Sequence, residues 1–138
     1  MRLWLISNDM DILTGNGRSI QRKDFSRNWE LAPRLGRVEA ADDFLINGQL
    51  GGANRQDEWD GSDRIKFSLL QPLTLNLNLD AQTIAEVVQF DSVGSVSVVG
   101  SIEYGSSLQL QLQPGRYGLS LFVEGDLINY SVSGQFLL

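Results

Sequence analysis

Leu73-Thr74-Leu75-Asn76-Leu77-Asn78-Leu79 decides the fold class. Four leucines stand at every second position, with a hydroxyl and two amides between them. In an extended strand successive side chains point to opposite faces, so this stretch presents one apolar and one polar face. A helix would scatter the same leucines around its axis. The pattern recurs: Ile65, Phe67 and Leu69 alternate with Lys66 and Ser68, and Leu108, Leu110 and Leu112 alternate with glutamines. Tyr117, Leu119, Leu121 and Val123 follow, then Tyr130 and Val132. Strands with one wet face belong to antiparallel sheets rather than to parallel sheets buried on both sides.

The punctuation between these runs agrees. Gln71-Pro72, Gly94, Gly100, Gly105, Pro114-Gly115 and Gly125-Asp126 read as turns. Val87, Val88 and Phe90, then Val93, Val96, Val98 and Val99, are rich in β-branched residues and read as strands. Phe44-Leu45-Ile46 reads as a strand ended by an Asn47-Gly48 turn. Ala81 to Glu86 is short for a helix. Many short strands with regular turn signals predict an all-β antiparallel sandwich or barrel. The N-terminal half is less regular: Leu3 to Ile6 reads as a short strand, Gly15-Asn16-Gly17 as a turn, and Arg18 to Leu31 fits a short helix or an extended arm equally.

The chain has 138 residues, the size of one domain, long enough to bury a core without staples. It has no Cys, so disulfide and thiolate chemistry are excluded and the redox compartment is left open. It has no His, which removes Ser-His-Asp and Cys-His nucleophilic systems and ordinary zinc sites. No phosphate-cradling P-loop is present. A carboxylate pair is all that glycoside hydrolysis needs, but nothing singles out a pair here. The chain is therefore expected not to be an enzyme. The apolar run from Met1 stops at Ser7-Asn8-Asp9, too short for a signal peptide, and no stretch approaches the roughly 18 apolar residues of a membrane helix. No membrane insertion is expected.

The net charge of −6 argues against general nucleic-acid binding. It is unevenly spread: every basic residue except Arg116 lies at or before Lys66. Basic residues from Arg18 to Arg37 interleave with Phe25 and Trp29, the composition of a single-strand nucleic-acid platform, but Asp24 and Glu30 interrupt it. Two bland alternatives stand beside it. Charges stay wet while Phe25 and Trp29 anchor on the sandwich edge, or Trp4, Phe25 and Trp29 anchor an arm on a neighbouring subunit.

From Trp29 onward, the order of features resembles the bacterial pre-peptidase C-terminal domain family. Ala32-Pro33-Arg34-Leu35-Gly36 stands where that family opens with A-x-x-L-G. A polar loop with spaced Asp, here Asp57 to Asp63, precedes the Ile65-Lys66-Phe67-Ser68-Leu69 strand. Leu112-Gln113-Pro114-Gly115-Arg116-Tyr117 matches L-x-P-G-x-Y, and Asn129-Tyr130-Ser131-Val132 matches the closing strand. The resemblance covers residues 29–138 and leaves 1–28 as an N-terminal segment or arm. It implies a jelly-roll-like β-sandwich serving as a non-catalytic accessory in secreted or surface proteins.

The acidic loop is the candidate metal site. Asp57, Asp60 and Asp63, with Glu58 among them, offer the oxygens that calcium prefers, although not at EF-hand spacing. The plain alternative is a turn whose carboxylates satisfy backbone donors. Trp59, within the same loop, either stacks on a sugar ring or plugs the sandwich edge. Two functions follow. The first is a structural assembly protein, akin to a subunit of a surface, filament or virion-type (capsid decoration) array, a homo-oligomer using its arm for protein contacts. The second is a monomeric accessory module for polysaccharide, protein or calcium, outside the cell or at its surface.

Overall fold

The structure, a computed structural model, describes residues 10–14, 19–22, 29, 32, 34–50, 62–79, 84–103, 106–122 and 128–138. Among these residues there is no helix. Eleven strands form two sheets. They are β1 (Met10–Thr14), β2 (Ser19–Arg22), β3 (Arg34–Val38), β4 (Asp43–Leu50), β5 (Ser62–Leu69) and β6 (Leu73–Leu79), then β7 (Ile84–Phe90), β8 (Val96–Glu103), β9 (Ser107–Leu112), β10 (Gly115–Phe122) and β11 (Ile128–Leu137).

The first sheet runs β2-β1-β4-β11-β6-β9 and the second β3-β5-β10-β7-β8. Every pairing is antiparallel except β3 with β5. From β4 to β11 the chain passes repeatedly from one sheet to the other, the jelly-roll-like course of an antiparallel sandwich. The sequence reading of the class holds.

The alternating pattern fills the space between the sheets. Leu73, Leu75, Leu77 and Leu79 of β6 are all buried, as are Ile65, Phe67 and Leu69 of β5 and Tyr117, Leu119 and Leu121 of β10. Phe67 and Tyr117 stack with centroids 5.7 Å apart, and Phe136 of the opposite sheet meets Phe67 edge-on at 5.3 Å. Gly134 makes room for this arrangement. A Cβ there would lie 2.2 Å from the ring of Phe44, its partner on β4.

Two local readings change in the structure, and one that is open in the sequence is settled. Asn47-Gly48 is not a turn, because β4 continues through it. The pair is hydrogen-bonded on both sides, Asn47 facing Asp11 and Ser131, and Gly48 facing Met10 and Tyr130. Two ladders outweigh the local preference of Asn-Gly for a hairpin bend. Gly100 is likewise not a turn but lies inside β8, where Leu110 of β9 fills the notch left by its missing side chain (2.7 Å to an added Cβ). Finally, part of the irregular N-terminal stretch is extended. β1 and β2 form a hairpin whose inner strand pairs with β4 (Ile12 with Ile46).

Candidate binding cleft on the outer face of the five-stranded sheet

The inward positions of β5 and β10 belong to the core, so the residues between them form the outer face. Register arranges these in rows across the strands. One row is Arg34, Lys66, Gly118, Val88 and Val98. The next is Arg37, Ser68, Arg116, Phe90 and Val96. A third holds Arg64, Ser120 and Glu86. Neighbouring strands lie about 4.8 Å apart and residues rise about 3.4 Å along each, so the backbone positions of Arg34, Lys66 and Arg116 fall within about 12 Å of one another.

Trp29 lies over this face ahead of β3. The tip of its indole occupies the space above Gly118, where a Cβ would come within 2.4 Å of the ring. Phe90 meets it edge-on, with centroids 5.2 Å apart, and the Arg64 guanidinium sits 5.0 Å from its centroid. Arg64 Nε also donates to Ser120 Oγ at 3.4 Å. Burial lowers the Arg64 pKa, and the charge of Glu86 opposes that shift. Under this cover Val88, Gly118 and Ser120 are buried although they face away from the core. Ala32 is buried as well and donates its N–H to the Trp29 carbonyl at 3.4 Å.

Beside Trp29 opens a cleft of about 510 Å³. Trp29 and Phe90 supply its aromatic walls, Arg34, Lys66 and Arg116 its cations, and Gly36, Gly94, Ser68 and the positions of the core-facing Phe67 and Tyr117 the rest of its lining. Gly36 and Gly94 have φ of 82° and 90°, the left-handed region that favours glycine, and neither would meet another atom with a Cβ. The Gly94 rim is a built turn. Asp91 Oδ1 accepts the N–H groups of Val93 (2.9 Å) and Ser95 (2.8 Å), while the Asp91 carbonyl accepts Gly94 N–H (3.1 Å) and Arg116 Nη2 (2.7 Å). Behind the cleft, the core-facing Tyr117 is fixed by its hydroxyl, which donates to the Gln113 carbonyl at 2.7 Å across the Pro114-Gly115 corner. Burial pushes the Tyr117 pKa up.

Of the residues singled out from sequence, the structure brings Trp29 and Arg34 to this cleft. Asp63 lies elsewhere. It points into the sandwich from β5, is 1% exposed, and accepts a 2.5 Å hydrogen bond from the Tyr130 hydroxyl of the opposite sheet. Trp4, Phe25, Asp57, Trp59 and Asp60 lie outside the described residues. The calcium expectation therefore touches the described structure only at Asp63. Sequence reasoning missed Lys66, Arg116 and Phe90 as members of one site. Their outward direction was legible from alternation, but their adjacency depends on the pairing of β5, β10 and β7.

By sequence, the chain matches no protein-family model and no curated protein. By structure, it is similar to the pre-peptidase C-terminal domain of collagenase from Bacillus anthracis: TM-score 0.52, 13% identity, covering 76% of this chain and 93% of that one. It is also similar to the Yersinia pseudotuberculosis-derived mitogen: TM-score 0.53, 7% identity, 69% and 86% covered. A looser likeness is to the periplasmic inhibitor of g-type lysozyme from Aeromonas hydrophila: TM-score 0.49, 14% identity, 76% and 98% covered. At such identities the shared property is architecture, and the chain has the β-sandwich fold of a pre-peptidase C-terminal domain.

Proposed function

We propose that this protein is a non-catalytic accessory module, working outside the cell or at its surface, that holds an acidic polysaccharide in the cleft beside Trp29. The observation that carries this reading is the grouping of Arg34, Lys66 and Arg116 with the rings of Trp29 and Phe90 around one open cleft. A chain of net charge −6 concentrates cations there, with Glu86 the acidic member of the three rows. A uronate ring has an apolar C–H face that suits an aromatic wall and a carboxylate that suits a guanidinium or ammonium. Few polar groups among apolar walls, at an exposed surface, make a binding site. The described lining holds no carboxylate to act as a general acid or base, since Asp63 faces the interior.

An arm-mediated assembly has less support, because β1 and β2, which lie within residues 1–28, are spent on the sandwich's own sheet.

The test is affinity electrophoresis and titration calorimetry with polygalacturonate, against an uncharged galactan. Binding of the acidic polymer alone, weakening with salt, is expected. Lys66→Ala and Arg116→Ala should each weaken it about tenfold, the loss of one charged contact, with melting temperature little changed. Equal binding of the neutral polymer, or none of the acidic one, would remove this reading.

A further inference from the structure

The turn at the rim of the cleft makes one contact that reaches across the sheet. Arg116 faces Phe90 in the β10–β7 pairing. The next residue of the chain, Asp91, therefore stands just beyond the end of β7, within reach of the Arg116 side chain. Asp91 is the hub of the turn that follows. Its N–H donates to the Ser95 carbonyl at 3.0 Å, and its carbonyl accepts Gly94 N–H at 3.1 Å. Its Oδ1 accepts the N–H groups of Val93 at 2.9 Å and Ser95 at 2.8 Å. A carboxylate that bonds the backbone a few residues on closes a turn as a backbone group would. Gly94 supplies the left-handed φ of 90° within it. With its N–H and Oδ1 engaged, Asp91 is held in place, and its carbonyl also accepts Arg116 Nη2 at 2.7 Å.

We infer that Asp91 is a positioning residue: given the acidic-polysaccharide reading of the cleft, its turn sets Arg116 to take a carboxylate of the polymer with one two-donor fork. The reason lies in donor geometry. A guanidinium carries five N–H donors in a rigid plane. Nη2 belongs to two forks, one shared with Nε and one with Nη1. The Asp91 carbonyl takes a single Nη2 hydrogen, which occupies one fork and leaves the other whole for a bidentate carboxylate. Arg116 is exposed, and a long exposed side chain gives up rotamer freedom when it grips a ligand. Fixing it beforehand removes part of that cost. Charge alone gives the opposite expectation. The Asp91 carboxylate repels a nearby anion, so deleting it should strengthen binding. Positioning and charge thus predict opposite signs at one residue.

The experiment takes two readings on the full chain. One is the heteronuclear NOE of the Arg116 Nε–H with no ligand present, and the other is the affinity for polygalacturonate by calorimetry. In the parent the Nε–H should be as ordered as the backbone. Asp91→Ala removes Oδ1, so it should make the Nε–H mobile. It should also weaken the polymer about threefold to tenfold, the range for ordering one long side chain on binding. Asp91→Asn keeps an oxygen acceptor and drops the charge, so Arg116 should stay ordered and binding should tighten about twofold at low salt. Gly94→Ala strains the turn without changing any charge and should act in the direction of Asp91→Ala. Arg116→Lys keeps the charge without the fork. In that background Asp91→Ala should weaken nothing further. An Arg116 Nε–H equally mobile in the parent and in Asp91→Ala overturns the inference. So does Asp91→Ala binding as tightly as the parent, or Asp91→Asn binding as weakly as Asp91→Ala. A parent that binds no polygalacturonate overturns the polysaccharide reading instead, and the NOE difference then decides the positioning role by itself.

Discussion

The two faces of the five-stranded sheet are built from the same strands and obey different rules. On the inner face, Ile65, Phe67, Tyr117, Leu119 and Leu121 are at most 4% exposed and belong to the one core cluster. Their direction follows from local alternation, and any well-formed sandwich would bury them. On the outer face, Lys66, Arg116 and Phe90 come from three strands separated by tens of residues, and a tryptophan from outside the strands is laid over them. The inner face is thus a property of each strand, whereas the outer site is a property of their register.

The comparison breaks most visibly in the core. Phe136→Ala removes a fully buried ring that meets both Phe44 and Phe67. It should cost about 3–5 kcal/mol, the range for deleting a buried aromatic side chain. Urea denaturation measures this, and a loss below 1 kcal/mol would mean the sheets collapse onto the cavity.

The next test crosses from one face to the other. Gly118→Ala adds a methyl where the Trp29 ring already sits, 2.4 Å away. Either the indole lifts or the strand shifts, and overpacking of this kind costs about 1–3 kcal/mol. The loss should come with a red shift in tryptophan emission as the ring becomes wetter, and with weaker binding in the cleft. An unchanged spectrum would show that Trp29 does not depend on the glycine.

The smallest effect appears at high pH. Burial raises the Tyr117 pKa above the ordinary value of about 10, so the native state favours the neutral phenol. That contribution is complete below pH 10 and is lost as pH rises through the native value, since the unfolded chain releases the proton first. Tyr117→Phe should flatten the fall in stability above pH 10 relative to the parent. It should also cost about 0.5–1.5 kcal/mol at neutral pH through the hydrogen bond to Gln113. Parallel alkaline unfolding curves for the two proteins would show that Tyr117 titrates normally.

The same division separates what could be read from the chain and what could not. The leucine alternation of β6, the Pro114-Gly115 corner and the all-β class were legible because each depends on neighbours in sequence. Asn47-Gly48 and Gly100 misled for the converse reason. Each is a local turn signal overruled by distant strands, the first by ladders on both sides and the second by the Leu110 side chain. Trp29 stood out as an anchor, but its place above Gly118 depends on a strand 89 positions later in the chain.

By itself, then, the sequence determined a cysteine- and histidine-free antiparallel sandwich and marked Trp29 as a candidate anchor, because period-two burial and missing functional groups are local facts. Only the tertiary structure decided that Arg34, Lys66 and Arg116 share a cleft with two rings, and that the Asp91 carbonyl holds Arg116. Both follow from which strands are neighbours, and strand order is a choice the whole chain makes when it buries its core.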